Sequence, residues 1–486
     1  FFVNFFIKSY KFKDLKILLL LSLILMIGCY VFKNHDDFPY YHLTYSLNLS
    51  ENSFIIGTGI FSHGFRTFSS LFYYHSLLYM PGIKFYLFHL GPFLILLFFN
   101  ISILSELKKR FKSSSIDFIY YFALISFVII NIVFYRLGEH GTDRSAQILL
   151  ILIFLFFLDI LYFQKDKKII LLNINLFLIL IFLASSMKAI YYLYLLLVPV
   201  IFFKKKIYRF FNIKNNFLII FILSLSLSLN LLTNFFNTGC FLYPSKKTCI
   251  IETNWSIPKS EVEHMAIHYE WWSKAGGGPG YSSEIKKENY VKNFIWLDDW
   301  IDKYFFNKVS DFLLGLIFIC LCVYFLIRFN SSKKNKKYLK IDSIAYIVPI
   351  FFLIEWFLNH PALRYGGFIL IALPIIIFVS SELQKFYLIK KKLYSVTVFF
   401  IILTFIIYNG RNLQRLDKEI DFYKYNLLKS PNFFVQDVKS KSVFKKGDFE
   451  IFSPIDQMCW ASSTPCSYHK KFNHSNFLWM NVVSRN

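Results

Sequence analysis

Charge is scarce in this chain. Of its 486 residues only 17% are charged, and the acidic side chains number 30 against 54 basic ones. With 56% hydrophobic residues, 61 Phe and 32 Tyr, such a chain would aggregate as a soluble domain, so lipid is its expected solvent. Other absences narrow the reading. No small-residue cleavage site follows the first apolar run, which is therefore expected to stay as an anchor rather than leave as a signal peptide. No Lys-Ser/Thr follows the cluster Gly276, Gly277, Gly278, Pro279, Gly280, so that cluster is a flexible loop and not a nucleotide-binding one. Ionisable residues are rare inside the apolar runs, where Asp159 and Glu355 are the main acids, and no internal repeat stands out. Both points count against a transporter.

What is present is apolar length. Runs close to or above the roughly 17 to 25 residues that cross a bilayer recur along the chain, and such runs must be helical to satisfy their own backbone in hydrocarbon. The expected spans are 16–32, 85–104, 117–135, 148–163, 169–185, 189–203, 217–236, 311–327, 342–358, 368–380 and 396–408. The expected fold is thus an all-α integral membrane protein of about eleven transmembrane helices. A polytopic membrane domain covers 1–410, including a large loop at 237–310, and a tail covers 411–486.

The +24 formal charge does not call for nucleic acid, because the lysines and arginines collect in alternate short loops at 8–16, 108–112, 165–168, 204–209, 333–340 and 390–392. That is the positive-inside pattern. It places the N-terminus in the cytoplasm and, with an odd number of spans, the large loop and the C-terminal tail outside. The close pairs Cys240/Cys249 and Cys459/Cys466 then fall in outside segments and are expected to form disulfides. No histidine lies at zinc-finger spacing around either pair. Little Ala and Gly against much Phe, Ile, Lys and Asn suits an AT-rich bacterial genome, hence an inner membrane with a periplasmic tail.

Chemistry is expected on the short outside loops. Asp36 and Asp37 follow the first span beside Tyr40, Tyr41 and His42. A carboxylate partly desolvated at a membrane surface can serve as general base, while an acidic cap on a helix starting near Pro39 is the plainer reading. The second loop carries Arg136, Glu139, His140, Asp143 and Arg144. Glu139 and Asp143 stand four apart, so one helical turn points both toward the first loop, where with Asp37 they are candidates for a divalent cation (Mg or Mn) or a substrate hydroxyl. An ion pair with Arg136 or Arg144 is the alternative. Lys188 and Arg364 run against the orientation bias at helix ends, where cations suit a phosphate. Snorkelling is the alternative for Lys188, whereas His360, Tyr365, Gly366 and Gly367 flank Arg364. Trp255, Trp271, Trp272, Trp296 and Trp300 crowd the large loop, as either an interfacial belt or a platform for sugar rings.

This layout resembles the GT-C superfamily of integral-membrane glycosyltransferases, in which the first exoplasmic loop carries an acidic pair followed by an aromatic. Asp36-Asp37-Phe38-Pro39-Tyr40 is similar, with Asp-Asp where Asp-Glu is frequent. Glu139 and Asp143 resemble a second acidic motif of some members, and 360–365 resembles a late exoplasmic segment of others; neither the large loop nor the tail has a counterpart. The resemblance implies a polyprenyl-phosphate sugar donor, a glycan, lipid or protein acceptor, Asp36 as leading base candidate and no required cofactor. Tyr40, His42, His140, Arg144 and Tyr365, beside these charges on the outside loops, are further candidates for contact with the substrate. A polysaccharide polymerase or ligase and a lipid or sugar transporter are the competing expectations.

Overall fold

The computed structural model describes residues 12–30, 37–112, 117–139, 141–211, 213–276, 285–331, 333–334, 338–424, 438–455 and 458–485. Most of them are helical. The principal helices are α1 (Phe12–Tyr30), α2 (Leu43–Glu51), α3 (Ser70–Leu77), α4 (Leu90–Lys112), α5 (Phe118–Val133), α6 (Gly141–Tyr162), α7 (Lys167–Met187), α8 (Leu197–Lys204), α9 (Ile213–Thr238), α10 (Lys259–Lys274), α11 (Ser310–Phe329), α12 (Ile344–Asn359), α13 (Gly367–Leu383) and α14 (Lys390–Tyr423).

An apolar helix stands at each expected span. Among the described residues six are long and apolar enough to cross a membrane: Phe85–Lys112, Gly141–Tyr162, Lys167–Met187, Asn216–Thr238, Leu297–Phe329 and Lys390–Tyr423. The other five, Leu15–Tyr30, Phe118–Val133, Ala189–Lys204, Ile344–Asn359 and Gly367–Leu383, are shorter. Side-chain caps mark two of these starts. The Asp117 carboxylate accepts from Tyr120 N at 3.1 Å and caps α5, and Asp166 accepts from Lys168 N at 2.7 Å at the head of α7; each satisfies a donor the helix leaves open.

Burial sorts the helices into layers. The apolar stretch of Gly141–Tyr162 is 83% buried, against 17% for Asn216–Thr238, so α6 is central and α9 peripheral. Outer faces of α9, α11 and α14 expose Phe217, Phe318 and Ile406, as expected of helices whose outer solvent is lipid. Within the bundle polar side chains meet one another across helices. Asn100 and Asn131 exchange amide hydrogen bonds of 3.0 and 2.9 Å between α4 and α5, and Tyr120 meets Thr397 of α14 at 2.6 Å. At one end Arg110 is buried against Glu106, Asp117 and Asp159, so the intramembrane acid Asp159 is a paired structural group.

A cap covers the other end. Its core joins Tyr45, Phe61 and Phe65 to Tyr243 and Val262 of the large loop and to Ile451 and Val483 of the tail. Here the chain departs from an all-α plan, because the tail forms strands. Among the described residues, β1 (Ile55–Ile56), β2 (Lys333–Lys334), β3 (Phe386–Tyr387), β4 (Ser440–Lys446), β5 (Phe449–Pro454), β6 (Phe472–Phe477) and β7 (Met480–Arg485) build a three-stranded sheet in the order β1-β7-β6 and two antiparallel pairs, β2-β3 and β4-β5. β1 pairs in parallel with β7, Ile55 opposite Asn481, so the last residues are stitched to a segment more than four hundred positions earlier. Both expected disulfides, Cys240–Cys249 and Cys459–Cys466, are formed. Helix α14 continues unbroken through residue 410 to Tyr423, so the division at 410 falls inside a helix.

Candidate functional site

Arg364 sits in a short helical turn, Leu363–Tyr365, between α12 and α13. Four side chains fix that turn from different elements. Gln147 of α6 donates to the Leu363 and Arg364 carbonyls at 3.2 and 2.9 Å. The Tyr304 hydroxyl accepts from Leu363 N at 2.8 Å, and the indoles of Trp300 and Trp356 donate to the Pro361 and Ala362 carbonyls at 2.7 and 3.0 Å. Gly366 closes the turn at φ +104°, a conformation that a side chain would strain.

From this mount the guanidinium spans two carboxylates. Nη2 donates to Asp37 Oδ2 at 2.6 Å, and Nε donates to Asp143 Oδ2 at 2.7 Å. Asp143 lies in the first turn of α6, where the helix dipole favours an anion, and its other oxygen takes the Lys188 ammonium. The network is therefore Asp37–Arg364–Asp143–Lys188, two anions and two cations drawn from the start of the α2 run, the turn before α13, the head of α6 and the end of α7. Gly141, at φ +46°, lets α6 begin here, because a Cβ would lie 2.7 Å from the His42 ring.

Aromatic rings wall the cations. The Lys188 ammonium stands 4.1 Å from the Tyr365 ring centroid, and Arg364 faces Trp272 at 5.2 Å and Tyr365 at 5.7 Å. These are cation–π distances, and they matter more where water is scarce. Burial opposes the Arg364 charge, yet Asp143 and Asp37 outweigh it and hold the guanidinium above its ordinary value. Burial also pulls the Lys188 ammonium below its usual value, with Asp143 opposing that pull. His360, 6.0 Å from Tyr365 by ring centroids, is driven down to about 4 by burial and then by Lys188 and Lys274, so its imidazole is neutral at pH 7. Burial likewise raises the Tyr41 and Tyr365 phenols.

Of the residues singled out in the sequence, Asp37, Asp143, Lys188, Arg364 and Tyr365 come together and His360 borders them. Tyr40 points elsewhere: its hydroxyl meets His63 Nδ1 at 2.9 Å and its ring stacks on Tyr468 of the tail at 5.1 Å. His42 packs against Tyr41, Phe72 and the Gly141 backbone position. Arg144 follows Asp143 in α6 and is half-buried. Asp36, His140 and the Glu139 side chain lie outside the described residues. Among the described residues no group of three or more His, Cys, Asp or Glu side chains is arranged to hold a metal, and Asp37 and Asp143 are engaged by the cations.

Gln147 and Tyr304 were not legible as site residues, and Trp272 stood out only as one of five tryptophans in the large loop. A lone amide just ahead of the apolar run 148–163 was the available signal for Gln147. The tryptophans divide by position: Trp296 and Trp300 are buried, Trp300 as a support of the Arg364 turn, and Trp272 alone faces Arg364.

Residues 1–371 match the family described as Domain of unknown function (DUF8201), and the chain belongs to that family. All four charges of the network fall inside the matched stretch and the β-rich tail falls outside it. No curated protein and no solved structure matches the chain.

Proposed function

We propose that this member of the DUF8201 family is a membrane glycosyltransferase. It moves a sugar from a polyprenyl-phosphate donor to a cell-envelope glycan, lipid or protein acceptor on the exoplasmic face of a bacterial inner membrane. In this reading the helices cross eleven times, with the N-terminus cytoplasmic and the tail periplasmic, an orientation supported by the alternate basic loops. The observation that carries the reading is the Arg364 guanidinium held between Asp37 and Asp143 at the end of the apolar bundle, with Lys188 beside it.

The network is built to exchange partners. A phosphate arriving at the bilayer boundary competes with Asp37 for Arg364, since phosphate and carboxylate suit the same guanidinium edge. Asp143, more deeply buried and doubly paired, keeps the two cations in place. Asp37, released, or its neighbour Asp36 takes the proton of the acceptor hydroxyl as that oxygen attacks the anomeric carbon. The bond between the anomeric carbon and the phosphate oxygen breaks, and its electron pair leaves on the lipid phosphate, whose charge Arg364 and Lys188 offset. Atoms and charge balance without nucleotide or redox partner.

The test is transfer of labelled sugar from a panel of polyprenyl-phosphate sugars to envelope glycans by the purified chain in liposomes. Transfer by wild type that is lost in Asp37→Asn or Asp36→Asn, and in Arg364→Ala, is the expected result. Transfer indifferent to both aspartates and to Arg364, or none from any donor, would overturn the reading.

A further inference from the structure

A π-helical turn, Phe38–His42, runs directly into α2. Asp37, at its head, meets Arg364. Asn48 lies eleven residues further on, roughly 16 Å away at helical rise, and there the run lines a cavity of about 140 Å³ with Thr58, Tyr73 and Ser76 of neighbouring segments and Asn237 of α9. That volume is several times the ~30 Å³ share of one liquid water and below the roughly 300 Å³ at which drug-sized sites begin.

The lining is neutral throughout: amides, hydroxyls, the rings of Phe54 and Tyr73 and the aliphatic side chains of Leu49 and Ile55, with no acidic or basic side chain. Its depth is polar, since Asn48, Thr58 and Asn237 are 3%, 3% and 1% exposed, while Ser53 is exposed at the rim. The buried polar groups of the lining are unevenly paired. Asn237 donates through Nδ2 to the Tyr45 hydroxyl at 2.7 Å. Its Oδ1 lies 3.5 Å from the Thr58 hydroxyl, but that group's single proton goes to the Ile55 carbonyl at 2.6 Å. The Asn237 acceptor is therefore buried and met only by that long contact. The Tyr73 hydroxyl is also buried and makes no hydrogen bond of good geometry, with the Tyr45 hydroxyl as its loose neighbour.

An ion in this cavity would have no countercharge, and a wholly apolar guest would leave the buried Tyr73 hydroxyl unmet, at a cost of about 1–3 kcal/mol. A guest with hydroxyls, each both donor and acceptor, meets the set, and its C–H face suits the aromatic rings. We propose that this cavity binds one neutral sugar ring. Its role as a distal acceptor subsite, one short oligosaccharide away from Asp37, rests on the transferase reading; the binding itself does not.

The experiment is saturation-transfer NMR on the purified full chain in detergent with methyl glycosides of a hexose, a 6-deoxyhexose, an N-acetylhexosamine and a pentose, with glucuronate and inorganic phosphate as charged controls. At least one neutral glycoside is expected to bind wild type, with Tyr73→Phe and Asn48→Leu each weakening it about tenfold, the equivalent of one hydrogen bond. Thermal melting identifies a variant that fails to fold, in which case the other carries the test. No binding of any neutral glycoside, or binding indifferent to both substitutions, overturns the proposal. Sugar binding in a wild type that transfers no sugar from any donor would defeat the transferase reading alone and leave this site standing.

Discussion

Arg364 donates to Asp37 at 2.6 Å across 327 positions of chain. The bond ties the turn before α13 to the head of the α2 run, and Asp143 holds the same guanidinium from a third element. Neither carboxylate alone balances the two cations, so the four charges behave as one unit.

Removing the transferable end of that unit should stop chemistry without unfolding the protein. Asp37→Asn is expected to lower labelled-sugar transfer by about 10²–10⁴-fold if Asp37 is the base, with a melting temperature close to wild type because Asp37 is partly exposed. Steady-state transfer beside a melting curve checks both halves.

Asp143 is expected to behave in the opposite way. Its loss leaves the Lys188 and Arg364 charges buried with less compensation, and breaking such a pair costs about 3 kcal/mol. Asp143→Ala should therefore melt early, and adding Lys188→Met should recover part of the loss. A double-mutant cycle in detergent measures the coupling.

His360 gives a pH dependence. Its folded value lies near 4, below the ordinary 6.5, so the unfolded chain binds the proton more readily. The stability it contributes is complete above about pH 6.5. It is lost as pH falls toward 4, because protonation places a third positive charge beside Lys188 and Lys274. His360→Asn should flatten that part of the curve of melting temperature against pH, and a slope unchanged by the substitution would refute the assignment.

At the opposite end, Arg110→Met should destabilise by about 3 kcal/mol, because Asp159 and Asp117 lose a buried partner. Asp143 and Asp159 stand sixteen residues apart on α6, roughly 24 Å. Glycoside binding at the Asn48 cavity and the affinity for donor should be unchanged in the fraction that remains folded, as read by titration at low temperature.

Trp460 links the tail to the site. It is buried, its backbone N–H donates to the Pro39 carbonyl at 3.0 Å, and its carbonyl accepts from the Thr44 hydroxyl at 3.0 Å. Trp460→Ala should cost about 3–5 kcal/mol as a large-to-small core change and should open the 438–485 region to limited proteolysis. Transfer should fall with it, because the segment carrying Asp37 loses its buttress.

The apolar runs were legible because the 3.6-residue helix is the one local solution for a backbone in hydrocarbon, whatever the side chains later touch. Composition and loop charge carried the same information, and close cysteine spacing identified both disulfides. Asp37, Asp143, Lys188 and Arg364 stood out as charges where charge is costly. Their partnership did not, since each lies on a different element. The sequence paired Asp143 with Glu139 through a helical turn, whereas the fold turns Asp143 toward Arg364 and Lys188. The tail's strands were missed because β7 takes its partner from Ile55 and Ile56, and no local periodicity records so distant a pairing.

By itself, then, the sequence determined that this chain is helical and apolar, where its helices lie and which few charges need explanation. These follow from solvation and backbone hydrogen bonding, which act over one turn or one span. Only the tertiary structure decided which charges meet, that Trp300 and Gln147 support Arg364, and that the tail grips the segment carrying Asp37. Those are contacts between residues far apart in sequence, set by how the helices and the cap pack together and by no property of any single segment.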